Sequence, residues 1–259
     1  MVRPAIAIGV DVGGSGIKVA AVDVIAGRLI SERLQVPTPE PSTPEASIAA
    51  IARLVEKAVA AAGTEADTAP AGVGIPSVVI EGFTRSAANI DPAWIDYPAR
   101  PELERALGRR VVVVNDADAA GVAKARFGAA AGKKGTVLVL TLGTGVGSAI
   151  FVDGRLVPNT ELGHMEIRGM DAERRSAAVA RVRQRESWRA WAADLDEHLH
   201  AMYRLFSPGL FVIGGGVSKD ADRFIPRLTV PAPVIPAALR NDAGIIGAAV
   251  LASERGLRG

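Results

Sequence analysis

The strongest constraint on the fold is a repeat. Val10-Asp11-Val12-Gly13-Gly14-Ser15 lines up with Leu140-Thr141-Leu142-Gly143-Thr144-Gly145. The same register sets Asp23 against Asp153, and Gly27-Arg28-Leu29 falls near Gly154-Arg155-Leu156. Each copy reads as strand, Gly-rich turn, strand, turn, strand. Two copies this far apart point to a duplicated α/β domain. The 259 residues suffice for one large domain or two modest ones, and 49% of them are apolar, so a core is available.

Between the copies the pattern is that of an α/β chain. Residues 5–10 alternate as a first strand, Asp11 to Gly16 form a turn, and Ile17–Val24 and Leu29–Val36 complete a meander. Thr43 caps a helix with Pro44 at its first position, Ile48, Ile51, Val55 and Val59 on its buried face, and Gly63 at its end. A strand returns at Ala71–Ile75. Residues 76–100 look irregular, a length that points to function or disorder; Trp94 and Tyr97 argue against disorder. A short helix, Pro101–Leu107, follows. In the second half Ser187 caps a helix whose Trp188, Trp191, Leu195, Leu199, Met202 and Phe206 form one apolar stripe, stopped by Pro208. His198 and His200 on that helix read as surface residues. Leu210–Ile213 is a buried strand ending in Gly214-Gly215-Gly216. A last helix runs from Asn241 or Asp242 to Gly256.

Val111 to Ala120 is the stretch on which chemistry can be hung. Four Val residues read as a strand covered on both faces, and Asn115, Asp116 and Asp118 follow at once. A helix starts near Ala117, so Asn115 or Asp116 can be its cap. The carboxyl end of a central strand is also where open α/β sheets place ligands. The residues alone leave both readings open.

Charge and composition exclude several classes. The net charge of +2 does not announce a nucleic-acid binder. With no Cys, disulfides, thiolate metal sites and a Cys nucleophile are excluded, and a reducing cytoplasm fits. Apolar runs fall short of a membrane span and no leader precedes the first strand. The expectation is a soluble cytoplasmic protein with no membrane and no nucleic-acid partner. Gly143-Thr144-Gly145-Val146-Gly147 is no dinucleotide fingerprint, because a strand follows it, and there is no Walker-type loop. Any phosphate would be held by hairpin turns, where Gly lets N–H groups approach oxygens. Glu161, His164 and Glu166 could bind a metal or hydrogen-bond a sugar. Lys133-Lys134 and Arg174 to Arg185 are either a solvated face or a groove for a polyanion.

Asp11-Val12-Gly13-Gly14-Ser15-Gly16-Ile17-Lys18, Asn115-Asp116-Ala117-Asp118-Ala119-Ala120-Gly121 and Leu140 to Ser148 resemble the ROK-family sugar kinases. Pro158 to His164, Leu205-Phe206-Ser207-Pro208 and Gly214 to Lys219 resemble that family's polyphosphate-dependent glucokinase branch in actinobacteria. The resemblance runs from Ile8 to about Ala252. It implies a duplicated actin-like, ribonuclease-H-like α/β fold with sugar in a central cleft between two lobes. The first lobe would be residues 1–114, completed by the helix at 241–259, and the second 115–240.

By that resemblance the chain phosphorylates the glucose 6-hydroxyl with inorganic polyphosphate or ATP and Mg²⁺. Asp116 would be the general base. Asn89, Asn115, Glu161, His164 and Glu173 would hold the other sugar hydroxyls. Asp11, Gly13, Gly14, Ser15, Lys18, Thr141, Gly143, Thr144 and Gly145 would face the phosphate donor, with Asp11 on the Mg²⁺. Gly214, Gly215 and Gly216 would lie where adenosine rests in ATP-using relatives. A homodimer is implied as well. Many relatives carry a Cys-rich zinc loop after the His; without Cys, His164 is expected to serve the sugar and no zinc is expected. Ile95–Arg100 and Ser176-Ala177 depart from the family pattern, and Glu173 is matched across a shortened region. Rivals are an ATP-dependent hexokinase, a kinase for mannose or N-acetylmannosamine, and a non-catalytic sugar sensor. The start of the first strand near Ala5 and the presence of Asp116 speak against the sensor. A structural filament protein would have no use for Glu161 and His164.

Overall fold

The computed structural model describes residues 5–237 and 242–255. They fall into two compact units, one running to Ala123 and resuming at Asp242, the other beginning at Lys124. In the first unit β1 (Ile6–Val12) and β2 (Ile17–Asp23) form an antiparallel hairpin. Asp11 and Val12 therefore finish the strand, and only Gly13 to Gly16 make the turn. β3 (Arg28–Leu29) and β4 (Leu34–Val36) both pair with β2, so the single strand expected over Leu29–Val36 is broken. Ser31 marks the break: its Oγ accepts the Ala21 N–H at 3.0 Å, in place of a strand carbonyl.

α1 (Pro44–Ala62) is capped by Thr43, whose Oγ1 accepts the Ala46 N–H, and ends at Gly63 with φ of 82°. Its Ile48, Ile51, Val55 and Val59 are buried against the sheet. β5 (Ala71–Ile75) runs parallel to β1. The region expected to be irregular is ordered by a small hairpin, β6 (Val79–Ile80) with β7 (Phe83–Thr84), and by Trp94. Trp94 is fully buried, donates from Nε1 to the Ser42 carbonyl at 3.0 Å, and meets Tyr97 edge-on. α2 (Ala99–Leu107) leads to β8 (Val111–Asn115), parallel to β5, and α3 (Asp116–Phe127) follows without a break.

The second unit repeats this plan. β9 (Thr136–Leu142), β10 (Val146–Val152) and β11 (Arg155–Val157) form the meander. A hairpin of β12 (Glu166–Ile167) and β13 (Met170–Asp171) precedes three helices, α4 (Glu173–Ser176), α5 (Ala178–Arg183) and α6 (Trp188–Phe206). β14 (Leu210–Gly214), α7 (Ala221–Phe224) and β15 (Val234–Pro236) complete it. The sheet orders are β3-β2-β1-β5-β8 and β11-β10-β9-β14-β15, and in both the last three strands are parallel. β1 and β9 share one burial pattern residue for residue. The duplication read from the sequence is thus a duplicated α/β topology.

The register needs one correction. Gly143–Gly145 is one residue shorter than Gly13–Gly16, so Val152, not Asp153, takes the ladder place of Asp23. The next turn is shorter again, which brings Arg155 and Leu156 onto the places of Arg28 and Leu29.

α6 is the counterpart of α1: both span 19 residues, and both are capped by a hydroxyl, Thr43 or Ser187, accepting from an N–H three residues on. Trp191, Leu195, Leu199 and Met202 are buried as expected. His198 is not a surface residue. It is 1% exposed on the same core-facing side of α6. α8 (Ala243–Arg255) packs on β1, β2, β5 and β8 of the first unit. Of the ends expected for this helix, Asn241 and Gly256 lie outside the described residues, while the alternative start, Asp242, directly precedes Ala243 and its carbonyl accepts the Ile246 N–H at 2.9 Å. Its approach is close enough that a Cβ on Gly9 or Gly72 would overlap the carbonyl oxygens of Ile245 and Ala248.

Candidate functional site

In the first unit the polar candidates gather at the carboxyl ends of β1, β5 and β8. Asp116 is the first residue of α3, and its Oδ1 accepts the Ala117 N–H at 2.8 Å. Asn115 does the capping: its Oδ1 accepts from Ala117 at 2.9 Å and from Asp118 at 3.1 Å, and its Nδ2 donates to the Ser77 carbonyl at 3.2 Å. Of the two candidate caps, Asn115 is thus 5% exposed and fixed, while Asp116 is half-buried at the strand end. Ser77 in turn is tied to Ser86, since Ser77 Oγ accepts the Ser86 N–H and Ser86 Oγ accepts the Val78 N–H.

Asp11 stands opposite Lys18 in the β1–β2 ladder, and Lys18 Nζ donates to its Oδ2 at 2.9 Å. The first turn of α8 lies against the same carboxylate. A Cβ on Gly244 would fall 2.8 Å from Oδ1 and 3.1 Å from Oδ2. A carboxylate fixed by Lys18 and by the first turn of α8 offers hard oxygen donors of the kind Mg²⁺ takes, since that ion uses one or two protein carboxylates plus phosphate and water. Thr38, buried at 9% exposure, donates to the Gly13 carbonyl and fixes the adjoining turn. Gly14 and Ser15 are exposed at its tip. Asn89, with φ of 61°, packs on that tip: a Cβ on Gly14 would lie 3.1 Å from its carbonyl oxygen. The structure therefore brings Asn89 and the first Gly-rich turn together.

The second unit has its own gathering, at the ends of β9 and β14. Thr141 takes the place of Asp11, and Lys124 Nζ donates to its Oγ1 at 2.9 Å. Gly143 is bridged to Gly145 across the turn, and Val179 donates to the Gly143 carbonyl. Thr144 is exposed at the tip. Gly215 has φ of 88° and lies directly on Leu142, where a Cβ would overlap the carbonyl oxygen. This close approach, which only glycine permits, sets Gly214–Gly216 beside the second Gly-rich turn.

Glu173, at the start of α4, sits between two loops. Its Oε2 accepts the Val146 N–H at 2.9 Å, and a Cβ on Gly145 or Gly163 would come within 2.5 Å and 3.1 Å of that oxygen. It thus joins the second Gly-rich turn to the Glu161–His164 loop. That loop is pinned to β10 by Ser148, 1% exposed, whose Oγ donates to the Thr160 carbonyl at 2.6 Å and accepts the Leu162 N–H at 3.0 Å. His164 is exposed, with Nδ1 3.2 Å from Asp171 Oδ2; Glu166 lies beside it in the β12–β13 hairpin. From below, His198 Nε2 donates to the Leu162 carbonyl at 2.9 Å, and Ser176 Oγ lies 2.9 Å from its Nδ1. Burial pushes the His198 pKa down, against the opposing pull of the Leu162 carbonyl and the Glu173 carboxylate.

Within the basic run, Arg175 is bound to Asp194 and Glu197, and the Arg181 guanidinium lies 4.0 Å from the Trp188 ring centroid. Arg174, Arg183, Arg185 and the Lys133-Lys134 pair are exposed. Sequence reasoning missed Lys124, Ser148, Asp171 and His198. Lys124 offered a signal, a single Lys in a small apolar helix behind an Asn-Asp pair; a strand serine such as Ser148 offered none.

A family model described as the ROK family matches residues 7–175. The chain is 44% identical to a polyphosphate glucokinase of Mycobacterium leprae, over 93% of this chain and 73% of that one. The structure resembles the inorganic polyphosphate/ATP-glucomannokinase of Arthrobacter sp. strain KM, with a TM-score of 0.90, 49% identity and coverage of 98% and 100%. It also resembles a ROK family glucokinase from Streptomyces griseus in complex with glucose and AMPPNP, with a TM-score of 0.79, 27% identity and coverage of 96% and 99%. The chain belongs to the ROK family.

Proposed function

We propose that the chain transfers a phosphoryl group from inorganic polyphosphate, with ATP as a second donor, to the 6-hydroxyl of glucose. The observation that carries this reading is the 44% identity to a polyphosphate glucokinase across 93% of the chain. Phosphoryl transfer asks a protein mainly to position reactants and balance charge. Asp116 takes the hydroxyl proton. One of its oxygens is anchored on the Ala117 N–H, which limits its rotamers, and an ionised carboxylate needs no raised pKa for this role. Asn89, Asn115, Glu161, His164 and Glu173 hold the remaining sugar hydroxyls. Asp11, Lys18, Thr141 and the turns Gly13–Ser15, Gly143–Gly145 and Gly214–Gly216 hold the donor. Asp11 holds Mg²⁺, which when bound neutralises charge on the donor phosphates. A homodimer is proposed on the resemblance alone, and a cytoplasmic location on the absence of Cys.

A coupled assay for glucose 6-phosphate, with Mg²⁺ and either polyphosphate or ATP as sole donor, tests the reading. Turnover with polyphosphate is expected, with a donor KM that rises with salt as a polyanion is screened. Turnover with ATP alone removes polyphosphate from the reading, and no turnover with either donor removes the reaction. Mannose is the second acceptor to assay, because the similar Arthrobacter protein is a glucomannokinase.

A further inference from the structure

We propose that Lys124 is a positioning residue for the phosphate donor, acting through Thr141; the idea rests on the kinase reading above. Lys124 stands in the last turn of α3 and is 2% exposed. Its side chain runs along Gly214, where a Cβ would lie 2.9 Å from Cε and would overlap Nζ itself. The ammonium ends 2.9 Å from Thr141 Oγ1, at the place where β9 and β14 pair through Thr141 and Gly214. An ammonium has only hydrogens to offer, so Thr141 must be the acceptor in this pair. The threonine proton is thereby turned away from Lys124 and needs another acceptor.

Gly143 to Gly145 and Gly214 to Gly216, the two turns assigned to the donor, begin at these strand ends. A phosphate oxygen arriving there is an acceptor with no proton of its own, the complement of a hydroxyl whose oxygen is already engaged. Gly214 is what makes the placement possible: any side chain there would occupy the ground of Nζ. The glycine is therefore as much a part of the device as the lysine.

The test is a double-mutant cycle of Lys124→Met and Thr141→Val, with Lys124→Arg as a charge-retaining control. Donor KM, glucose KM, kcat and equilibrium binding of tripolyphosphate are measured on folded protein. Lys124→Met should weaken the donor side roughly tenfold to a hundredfold, the scale of one hydrogen bond to a charged group, and leave glucose KM within about twofold. Adding Thr141→Val to Lys124→Met should cost little more, because the two act as one unit. Lys124→Arg should recover part of the loss. Losses that simply add, a native donor KM in Lys124→Met, or equal losses toward glucose and donor with a lowered Tm would overturn the proposal. If Lys124→Met does not fold, the Lys124 ammonium ¹⁵N signal of the native chain is followed instead. Saturating tripolyphosphate should shift it in the native chain and not in Thr141→Val; no shift in the native chain overturns the idea. A native chain that turns over neither donor sinks the proposed reaction, and the tripolyphosphate titration still decides the role of Lys124.

Discussion

The two Gly-rich turns are built on one frame and end in different chemistry. β1 and β9 have the same burial pattern, and each faces a glycine across the parallel pair, Gly74 beside Asp11 and Gly214 beside Thr141. The first copy carries a carboxylate there, answered by Lys18 from the adjacent strand and still 17% exposed. The second carries a hydroxyl, answered by a buried lysine that arrives on a helix. A carboxylate suits a cation and a hydroxyl held by an ammonium suits an anion. A duplicated scaffold has thus kept its apolar positions and divided its polar ones.

The largest expected effect comes from removing the acid that follows β8. Asp116→Asn should lower kcat by roughly 10²–10⁴, the usual worth of a general base, with sugar and donor KM little changed. Near-native turnover would take Asp116 out of the reaction. Next in size is Asp11→Asn, which removes the carboxylate that distinguishes the first turn from the second. We expect kcat/KM for the donor to fall roughly 10–100-fold and the Mg²⁺ requirement to rise, as when a metal's immediate surroundings are disturbed. An unchanged Mg²⁺ dependence would mean that Asp11 does no more than hold Lys18.

Much of this contrast was legible in the sequence. The duplicated frame followed from Val10–Ser15 and Leu140–Gly145, because a Gly-rich turn between apolar strands is written in consecutive residues. α1 and α6 were legible for the same reason, a hydroxyl cap followed by a helical stripe. What depended on distant pairing was not. Ser31 breaking a strand, a turn one residue shorter in the second copy, and Lys124 reaching Thr141 all require knowing which backbone lies alongside. His198 was misread because a histidine in a helix carries no mark of the carbonyl it will meet. Glu173 was singled out by resemblance, but its bond to the Val146 N–H comes only from the fold.

A third difference lies in how the sheets are covered. α8 comes down on Gly9 and Gly72, whose ladder counterparts in the second sheet are Val139 and Val212. The glycines are small because the helix backbone is close. Gly72→Ala should therefore destabilise the chain by about 1–3 kcal/mol, the usual cost of overfilling a packed site. Denaturant unfolding would show it as a lower midpoint with an unchanged slope. Stability equal to the native chain would mean that α8 can move away freely.

The smallest expected effect concerns the paired helices. Counting from their caps, Leu54 in α1 and His198 in α6 fall at the same place (54 − 43 = 11 and 198 − 187 = 11). Both are buried, but one can take a proton. Burial holds the His198 pKa below its ordinary 6.5, so the unfolded chain binds the proton more readily than the folded one. The stability contributed by the neutral ring is therefore complete above about pH 6.5 and is lost as pH falls below it, toward the lowered folded pKa. Unfolding midpoints measured from pH 8 down to pH 5 should fall at the acid end in the native chain. In His198→Gln, which keeps a donor for Leu162 but cannot titrate there, the acid-side slope should flatten. Parallel curves for the two proteins would assign the acid sensitivity to other groups and leave His198 as a neutral strut, equivalent in its energetics to Leu54.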